Sequence, residues 1–358
     1  MKIPVANIYY LLSYAWDKLE EGRLAQVNAD ACATPLDLLA NLLLGGTSYL
    51  FKKGIDRNYR EQQAGIPAIK GKLQIGESLQ QLALQQGKAV CCYDVFDHDV
   101  LHNQILKTTL NRLCRTEALD RTTKATARSL ALRFHEVSQV PLTKAVFRQV
   151  QLHRNNRFYG FLMAVCELLF DNLLPDERAG YYRFRDFLRD DEQMGRLFEA
   201  FVRNFYKREL PGSFQVSRED IRWQSAATDT AALALLPKMQ TDVTIRSAGR
   251  KIILDTKYYK DVLTRHFGIE KLRRDHLSQL FSYLKHQVNP RDAGSIRAEG
   301  ILLYATAGQE ISVDYPDMIG HQLSIRTVNL NDDWRNIRAC LLKTLERSPT
   351  NDIIPWRM

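Results

Sequence analysis

The sequence predicts a mixed α/β protein in two parts: a mostly helical half at 1–175 and a half at 176–358 that mixes a sheet with flanking helices. Three observations carry this expectation. Before position 175, apolar residues recur at the i, i+3, i+4 spacing of a helix face. After it, short aliphatic runs are set off by glycine-containing turns, the pattern of strands. Between the two lies Pro175-Asp176-Glu177-Arg178-Ala179-Gly180, turn chemistry without apolar periodicity. The 358 residues suffice for two domains.

In chain order, residues 7–16 (NIYYLLSYAW) are apolar at helical spacing and predict a buried helix. Residues 35–51 predict a second, with Pro35 near its start and a weak point at Gly45-Gly46. Residues 61–76 hold Gly65, Pro67, Gly71 and Gly76 and predict a loop or hairpin, a β/loop finger within the helical half. Helices follow at 98–117, 121–138 and 158–174, the last apolar almost all round and therefore buried. In the second half, a helix at 190–209 carries the stripe Met194, Leu197, Phe198, Phe201, Val202, Phe205. Strands are predicted at 214–218, 242–246 and 251–255, the last two joined as a hairpin by Ser247-Ala248-Gly249-Arg250. A helix at 269–286, strands at 300–305 and 322–329, and a helix at 332–346 capped by Asn331 or Asp332 complete the chain.

Composition excludes several classes. With 45% hydrophobic and 25% charged residues the chain is an ordinary globular sequence, not a disordered or fibrous one. No apolar run reaches 18 residues, so neither a membrane span nor a membrane partner is expected. Six scattered cysteines without a C-x-x-C pair argue against zinc and a disulfide framework, and a reducing cytoplasm is the expected location. The net charge of +9 is unevenly placed. Residues 107–157 hold eleven Lys/Arg against three acids, and residues 246–274 nine against three. Such focusing fits a polyanionic partner or, more plainly, solvated helix faces.

The most informative stretch is Met239-Gln240-Thr241-Asp242-Val243-Thr244-Ile245 followed by Ile252-Ile253-Leu254-Asp255-Thr256-Lys257. Asp255 ends an aliphatic run, and on a strand Asp255 and Lys257 share a face. Asp242 opens the preceding strand, so a twisted hairpin brings the three heads together at its rim. Two carboxylates suit Mg²⁺, a hard cation that needs few protein ligands. A bound Mg²⁺ supplies Lewis acidity to phosphodiester cleavage, and an adjacent lysine positions water and offsets charge. The plain alternative is an exposed cross-strand ion pair. Glu199 lies off the apolar stripe of its helix, facing a cleft or water. Gln279 and Tyr283, one turn apart, share a helix face and either touch a substrate backbone or brace the lysine.

Asp242…Asp255-Thr256-Lys257, with Glu199 upstream and Gln279-x-x-x-Tyr283 downstream, resembles the PD-(D/E)xK nuclease superfamily. Ile3-Pro4-Val5-Ala6-Asn7-Ile8-Tyr9-Tyr10, Ile66-Pro67-Ala68-Ile69-Lys70-Gly71-Lys72-Leu73, Gly180-Tyr181-Tyr182-Arg183-Phe184 and Leu236–Ser247 are similar, nearly end to end, to the McrC family of McrBC modification-dependent restriction systems. The resemblance implies a C-terminal PD-(D/E)xK domain of restriction-endonuclease type and an N-terminal domain that docks on McrB, a hexameric AAA+ GTPase. It implies double-stranded DNA with modified cytosine as substrate, and GTP bound by the partner. This chain has no phosphate-binding loop: Gly65 to Gly71-Lys72-Leu73 has one residue too many and lacks the Ser/Thr. The family's proline is replaced by Thr241.

The resemblance assigns Asp242, Asp255 and the Thr256 carbonyl to Mg²⁺, and Lys257 to the attacking water, with Glu199, Gln279 and Tyr283 completing the site. Arg246, Arg265, Lys271, Arg273 and Arg274 are expected to grip phosphates. A second role is activation of the AAA+ partner, with the 61–76 segment entering the partner's channel and Lys70 or Lys72 acting on its nucleotide site. A third is a basic DNA-binding scaffold without catalysis, against which the intact Asp…Asp-x-Lys set argues.

Overall fold

The computed structural model describes residues 3–25, 28–153, 156–177, 180–224, 231, 234–259, 263–266, 269–306 and 310–346, without the side chains of residues 30, 60, 263–266 and 269–271. The chain packs as two units: residues 1–19, 29–35 and 186–358 form one, residues 20–28 and 36–185 the other.

The second unit is helical with a β finger. Its helices are α2 (Leu19–Leu24, save its first residue), α3 (Pro35–Lys53), α4 (Ile75–Gln80), α5 (Leu101–Cys114), α6 (Arg121–Arg133), α7 (Lys144–Arg148) and α8 (Arg157–Asn172). Gly45-Gly46 does not break α3. A Cβ on Gly46 would come within 2.4 Å of the Leu162 side chain on α8, so the glycine permits close helix packing. Asp120 caps α6, and its carboxyl, accepting from the Thr123 hydroxyl and from the Thr123 and Thr122 amides, is held down at about 2. The finger is longer than the sequence implies. β1 (Asn58–Ile66) pairs antiparallel with β3 (Ala89–Asp97) over nine residues, and β2 (Lys72–Leu73) joins the other edge of β3. The expected local hairpin at 61–76 is therefore corrected: the partner strand lies beyond the helical segment that follows β2. Gly71 has φ +70°, and a Cβ there would strike the Cys92 carbonyl at 2.3 Å.

The expected boundary at 175/176 also shifts. β4 (Leu173–Pro175) pairs antiparallel with β5 (Tyr182–Phe184), so the Pro/Gly stretch between them is a hairpin connection, with Gly180 at φ +86°. The chain passes into the other unit after Arg185. The opening helix α1 (Val5–Ala15), expected in the N-terminal domain, packs with the C-terminal residues. Tyr14 meets the rings of Phe201, Phe205 and Trp334, and its hydroxyl donates to Glu209 at 2.6 Å. The Asn7 amide donates to the carbonyls of Leu330 and Asp332.

The first unit is built on a six-stranded mixed sheet ordered β14-β15-β13-β10-β9-β6. Its strands are β6 (Gln215–Ser217), β9 (Val243–Ser247), β10 (Arg250–Tyr258), β13 (Glu299–Thr306), β14 (Ser312–Met318) and β15 (His321–Asn329). β10, β13 and β15 run parallel, and the outer pairings are antiparallel. Short pairs β7 (Asp220–Ile221) with β8 (Met239–Gln240), and β11 (Leu263–His266) with β12 (Ile269–Leu272), lie outside the sheet. Helices α9 (Asp191–Glu209) and α10 (Arg274–His286) pack on it, joined by α11 (Ala293–Ile296) and α12 (Trp334–Lys343). All eight residues of β13 are buried, as expected of a parallel strand covered on both faces.

Several expectations shift in detail. Residues 269–272 form β12 rather than the first turn of a helix, β14 was not anticipated, and Asp333 caps α12 in place of Asn331 or Asp332, accepting from the Arg335 amide. The stripe on α9 is buried at Met194, Phe198, Phe201, Val202 and Phe205, with Leu197 at its margin. All six cysteines are free, and among the described residues no helix is long and apolar enough to cross a membrane.

Candidate active site

The site is set by the β9–β10 hairpin. Leu254 pairs with Val243, so Asp255 and Asp242 are the next residues on the two chains. Ile253 and Lys257 face α10: Ile253 joins Leu280 and Leu284 in one core cluster, and the Lys257 Nζ donates to Gln279 Oε1 at 2.9 Å. Asp255 shares that side of β10. Tyr258 faces Phe198 of α9. The aliphatic run Ile252-Ile253-Leu254 thus leads to two charged groups just past the point where pairing with β9 ends.

Asp255 is fully buried and Lys257 nearly so, with Nζ 2.7 Å from Asp255 Oδ2. The contact is an ion pair but poorly aimed for a hydrogen bond, and neither Asp255 oxygen receives a well-directed donor. Burial pushes the Asp255 carboxyl up to about 7. Lys257 pulls against that, and the nearby charges of Asp242 and Glu199 add to it. Asp242 sits in the bend before β9. Its Oδ2 accepts from both the Thr256 amide at 2.7 Å and the Thr256 hydroxyl at 2.8 Å. Thr241, in the position of the family's proline, is buried and exchanges bonds with the Glu219 backbone and the Thr244 hydroxyl, which anchors the bend.

A lysine is held in place by what it donates to. Gln279 accepts from Lys257, and its Nε2 donates to the Tyr283 hydroxyl at 2.8 Å, which fixes the amide with its oxygen toward the lysine. Of the two roles expected for the Gln279/Tyr283 pair, bracing the lysine is the one the geometry displays. His276 and Tyr304, which sequence reasoning missed, stand behind: the imidazole Nδ1 and the tyrosine hydroxyl are 2.9 Å apart. Burial, then Lys257, lowers the His276 pKa to about 4.

Glu199 does approach these groups, but not as an open carboxylate. Its Oε1 is 2.8 Å from Arg203 Nη1 and 3.4 Å from Arg218 Nη2. Arg203 Nη1 also donates to the Asp242 carbonyl at 3.2 Å. Neither arginine was singled out from sequence; the i, i+4 spacing of Glu199 and Arg203 was the available signal. Among the described residues no group of three or more His, Cys, Asp or Glu is poised for a metal. Two carboxylates, one of them a buried Asp without a directed donor, still suit Mg²⁺, which keeps most of its waters.

The expected phosphate contacts divide. Arg246 is committed elsewhere: Nε and Nη2 donate to Glu219 at 2.7 and 3.0 Å, and Nη1 to Asp292 at 3.2 Å. The buried Lys251 adds to that network through Glu219. Arg246 is therefore withdrawn from the phosphate contacts. Arg273 stacks on Tyr259, and Arg274 is exposed at the start of α10. The side chains of Arg265 and Lys271 lie outside the described residues. In the other unit Lys70 and Lys72 are exposed on the finger, with the Lys70 Nζ 4.6 Å above the Tyr93 ring. A concavity of about 450 Å³, lined by Ile311, Arg326, Cys340 and Lys343 among others, holds none of these candidates.

The model of one family, the McrBC 5-methylcytosine restriction system component, matches residues 8–305. This chain belongs to the McrBC family. It is 35% identical over 340 residues to the type IV methyl-directed restriction enzyme EcoKMcrBC of Escherichia coli K12, covering 95% of this chain and 96% of that one. It also superimposes on a chain of the Thermococcus gammatolerans assembly of McrB AAA+ hexamers with bound McrC. There the TM-score is 0.56 at 17% identity, over 96% of this chain and 76% of that one, a likeness of fold. The McrBC family match spans both the finger and the β9–β10 hairpin.

Proposed function

We propose that this chain is the Mg²⁺-dependent endonuclease subunit of a GTP-driven restriction complex that cuts double-stranded DNA containing modified cytosine. The observation that carries the proposal is the convergence of Asp242, Asp255 and Lys257 at one end of the sheet, with Lys257 braced by Gln279 and Tyr283. In this reading the sheet with α9 and α10 is a PD-(D/E)xK domain, and membership in the McrBC family supports the assignment.

Asp242, Asp255 and the Thr256 carbonyl would hold Mg²⁺, which supplies Lewis acidity and charge compensation at the phosphate. Thr256 restrains Asp242 through Oδ2, leaving its other oxygen for the metal. Lys257 has three N–H donors. One donates to Gln279 while the ammonium lies against Asp255 as an ion pair, and a further N–H would orient the attacking water or meet charge developing on the phosphate. Arg273 and Arg274 at the start of α10 are offered to flanking phosphates, and Arg265 and Lys271 belong to the same basic segment.

The partner proposed is an McrB-like AAA+ GTPase hexamer that binds the GTP, because a structural relative is a chain of an assembly of McrB AAA+ hexamers with bound McrC. Stimulation of that GTPase is proposed for the finger, with Lys70 and Lys72 as its exposed cations. The complex would work in the cytoplasm.

Asp255→Ala and Lys257→Ala are predicted to abolish cleavage of methylated DNA in the presence of partner and GTP. Folding and stimulation of GTP turnover should persist. Full cleavage by either variant removes the site assignment.

A further inference from the structure

The Glu199 carboxylate lies beside the site, yet one oxygen is shared by two guanidinium groups. Arg203 is mostly buried, and it joins Glu199 of α9 to the backbone of Asp242 through one nitrogen. It therefore ties the helix to the bend that carries a proposed metal ligand. Arg218 differs. It is 45% exposed and directly follows the edge strand β6, whose Ser217 pairs with Thr244 two residues after Asp242. Its contact with Glu199, at 3.4 Å, is long for a hydrogen bond. Glu199 aims this guanidinium without saturating its five donors. The result is a half-exposed cation at the rim of an acidic site, on the opposite side of the β9–β10 hairpin from Arg274.

We infer that Glu199 is a positioning residue rather than a metal ligand, and that Arg218 contacts a phosphate of the DNA strand lying across the Asp242–Asp255 site. The inference rests on the nuclease reading above. Two cations beside Glu199 disfavour a further divalent ion there, whereas a planar guanidinium is matched to a phosphate oxygen pair. An edge-strand cation beside Asp242 would extend the phosphate-binding surface past the hairpin to the β6 edge of the sheet. Arg218 adds a half-exposed positive charge beside Asp242 and Glu199, lessening their repulsion of the strand.

The test uses the full-length chain assembled with its partner AAA+ protein, in wild-type form and carrying Arg218→Ala, Arg218→Lys or Glu199→Gln. Binding of a fluorescent DNA duplex is measured across a salt series with Ca²⁺ in place of Mg²⁺. Single-turnover cleavage is then measured with Mg²⁺, and binding of Mn²⁺ to the chain by electron paramagnetic resonance. Loss of one phosphate contact should reduce the slope of log affinity against log salt by about 1 in Arg218→Ala. Cleavage should fall on the order of 10- to 100-fold, the worth of one charged hydrogen bond. Arg218→Lys should restore the slope and most of the rate. Glu199→Gln should slow cleavage by roughly tenfold while binding Mn²⁺ within about twofold of wild type, given that the arginines lose only part of their anchor. An unchanged salt slope in Arg218→Ala overturns the phosphate contact. Loss of Mn²⁺ binding in Glu199→Gln as complete as in Asp255→Asn overturns the positioning role. Failure of the nuclease reading looks different, because Asp255→Ala and Lys257→Ala would then cut like wild type.

Discussion

Asp255 is a carboxylate kept where carboxylates are costly. Burial pushes its pKa up to about 7, with Lys257 opposing and the charges of Asp242 and Glu199 adding. The sign follows from linkage. Between about pH 4 and 7 the folded chain keeps a proton that the unfolded chain releases, so this group's contribution to stability declines as pH rises through that window. His276 works in the opposite direction, since its pKa is lowered to about 4 and its neutral form is the folded one. A difference between variants separates the two. In metal-free urea denaturation, the stability of Asp255→Asn relative to wild type should grow by about 2–3 kcal/mol between pH 5 and pH 7.5. A pH-independent difference would show that Asp255 titrates normally. At pH 7.5, added Mg²⁺ should raise the wild-type melting temperature and leave that of Asp255→Asn unmoved, because only a ligand of the folded state stabilises it.

At the level of elements, a glycine shows how packing overrides local propensity. Gly46 sits inside α3, where glycine costs roughly 1 kcal/mol relative to alanine. The helix keeps it because Leu162 of α8 and the Phe158 ring occupy the space a side chain would need. Gly46→Val is predicted to destabilise the chain by about 1–3 kcal/mol through overpacking, read as a lower urea midpoint at unchanged slope. A stability equal to wild type would mean the two helices separate freely. The same contrast explains what was legible beforehand. The stripe on α9 and the aliphatic run into Asp255 are local patterns, and both elements stand within a few residues of expectation. The i, i+2 relation of Asp255 and Lys257 is strand geometry and needed no partner. What stayed hidden depends on distant residues. Thr256 restraining Asp242, Arg218 meeting Glu199, and Arg246 lost to Glu219 and Asp292 each require the sheet order, which no local period encodes. Likewise α1 reads as N-terminal because nothing in its own sequence names Phe201 or Trp334 as its neighbours.

For the whole molecule, the two proposed activities reside in separately packed units, which makes them separable by mutation. The carboxylates belong to the sheet unit and the finger to the helical one. The finger's root is firmly fastened. The Tyr159 hydroxyl accepts from the Asp56 amide and donates to Asn103, whose own amide donates to the carbonyls of Asp56 and His98. Asp56 and His98 flank β1 and β3, so both legs of the finger leave from one hydrogen-bonded knot. The finger and the following helix α4 expose Tyr59, Ile69, Ile75, Leu79 and Phe96 along with Lys70 and Lys72. Exposed apolar side chains gathered on one projecting element mark an interaction surface more often than a solvated one. A rigid root matters because a projecting cation can act on a partner's nucleotide only if its position is fixed. Replacing Ile69, Lys70 and Lys72 together by Ser, Ala and Ala should lower the stimulated GTP turnover of the AAA+ partner by at least about tenfold. The Mg²⁺-dependent rise in melting temperature through Asp255 should survive, as should the fold, since all three side chains are exposed. Full stimulation by the triple variant would move the activating contact off the finger, and loss of the Mg²⁺ response would show that the two units do not act independently.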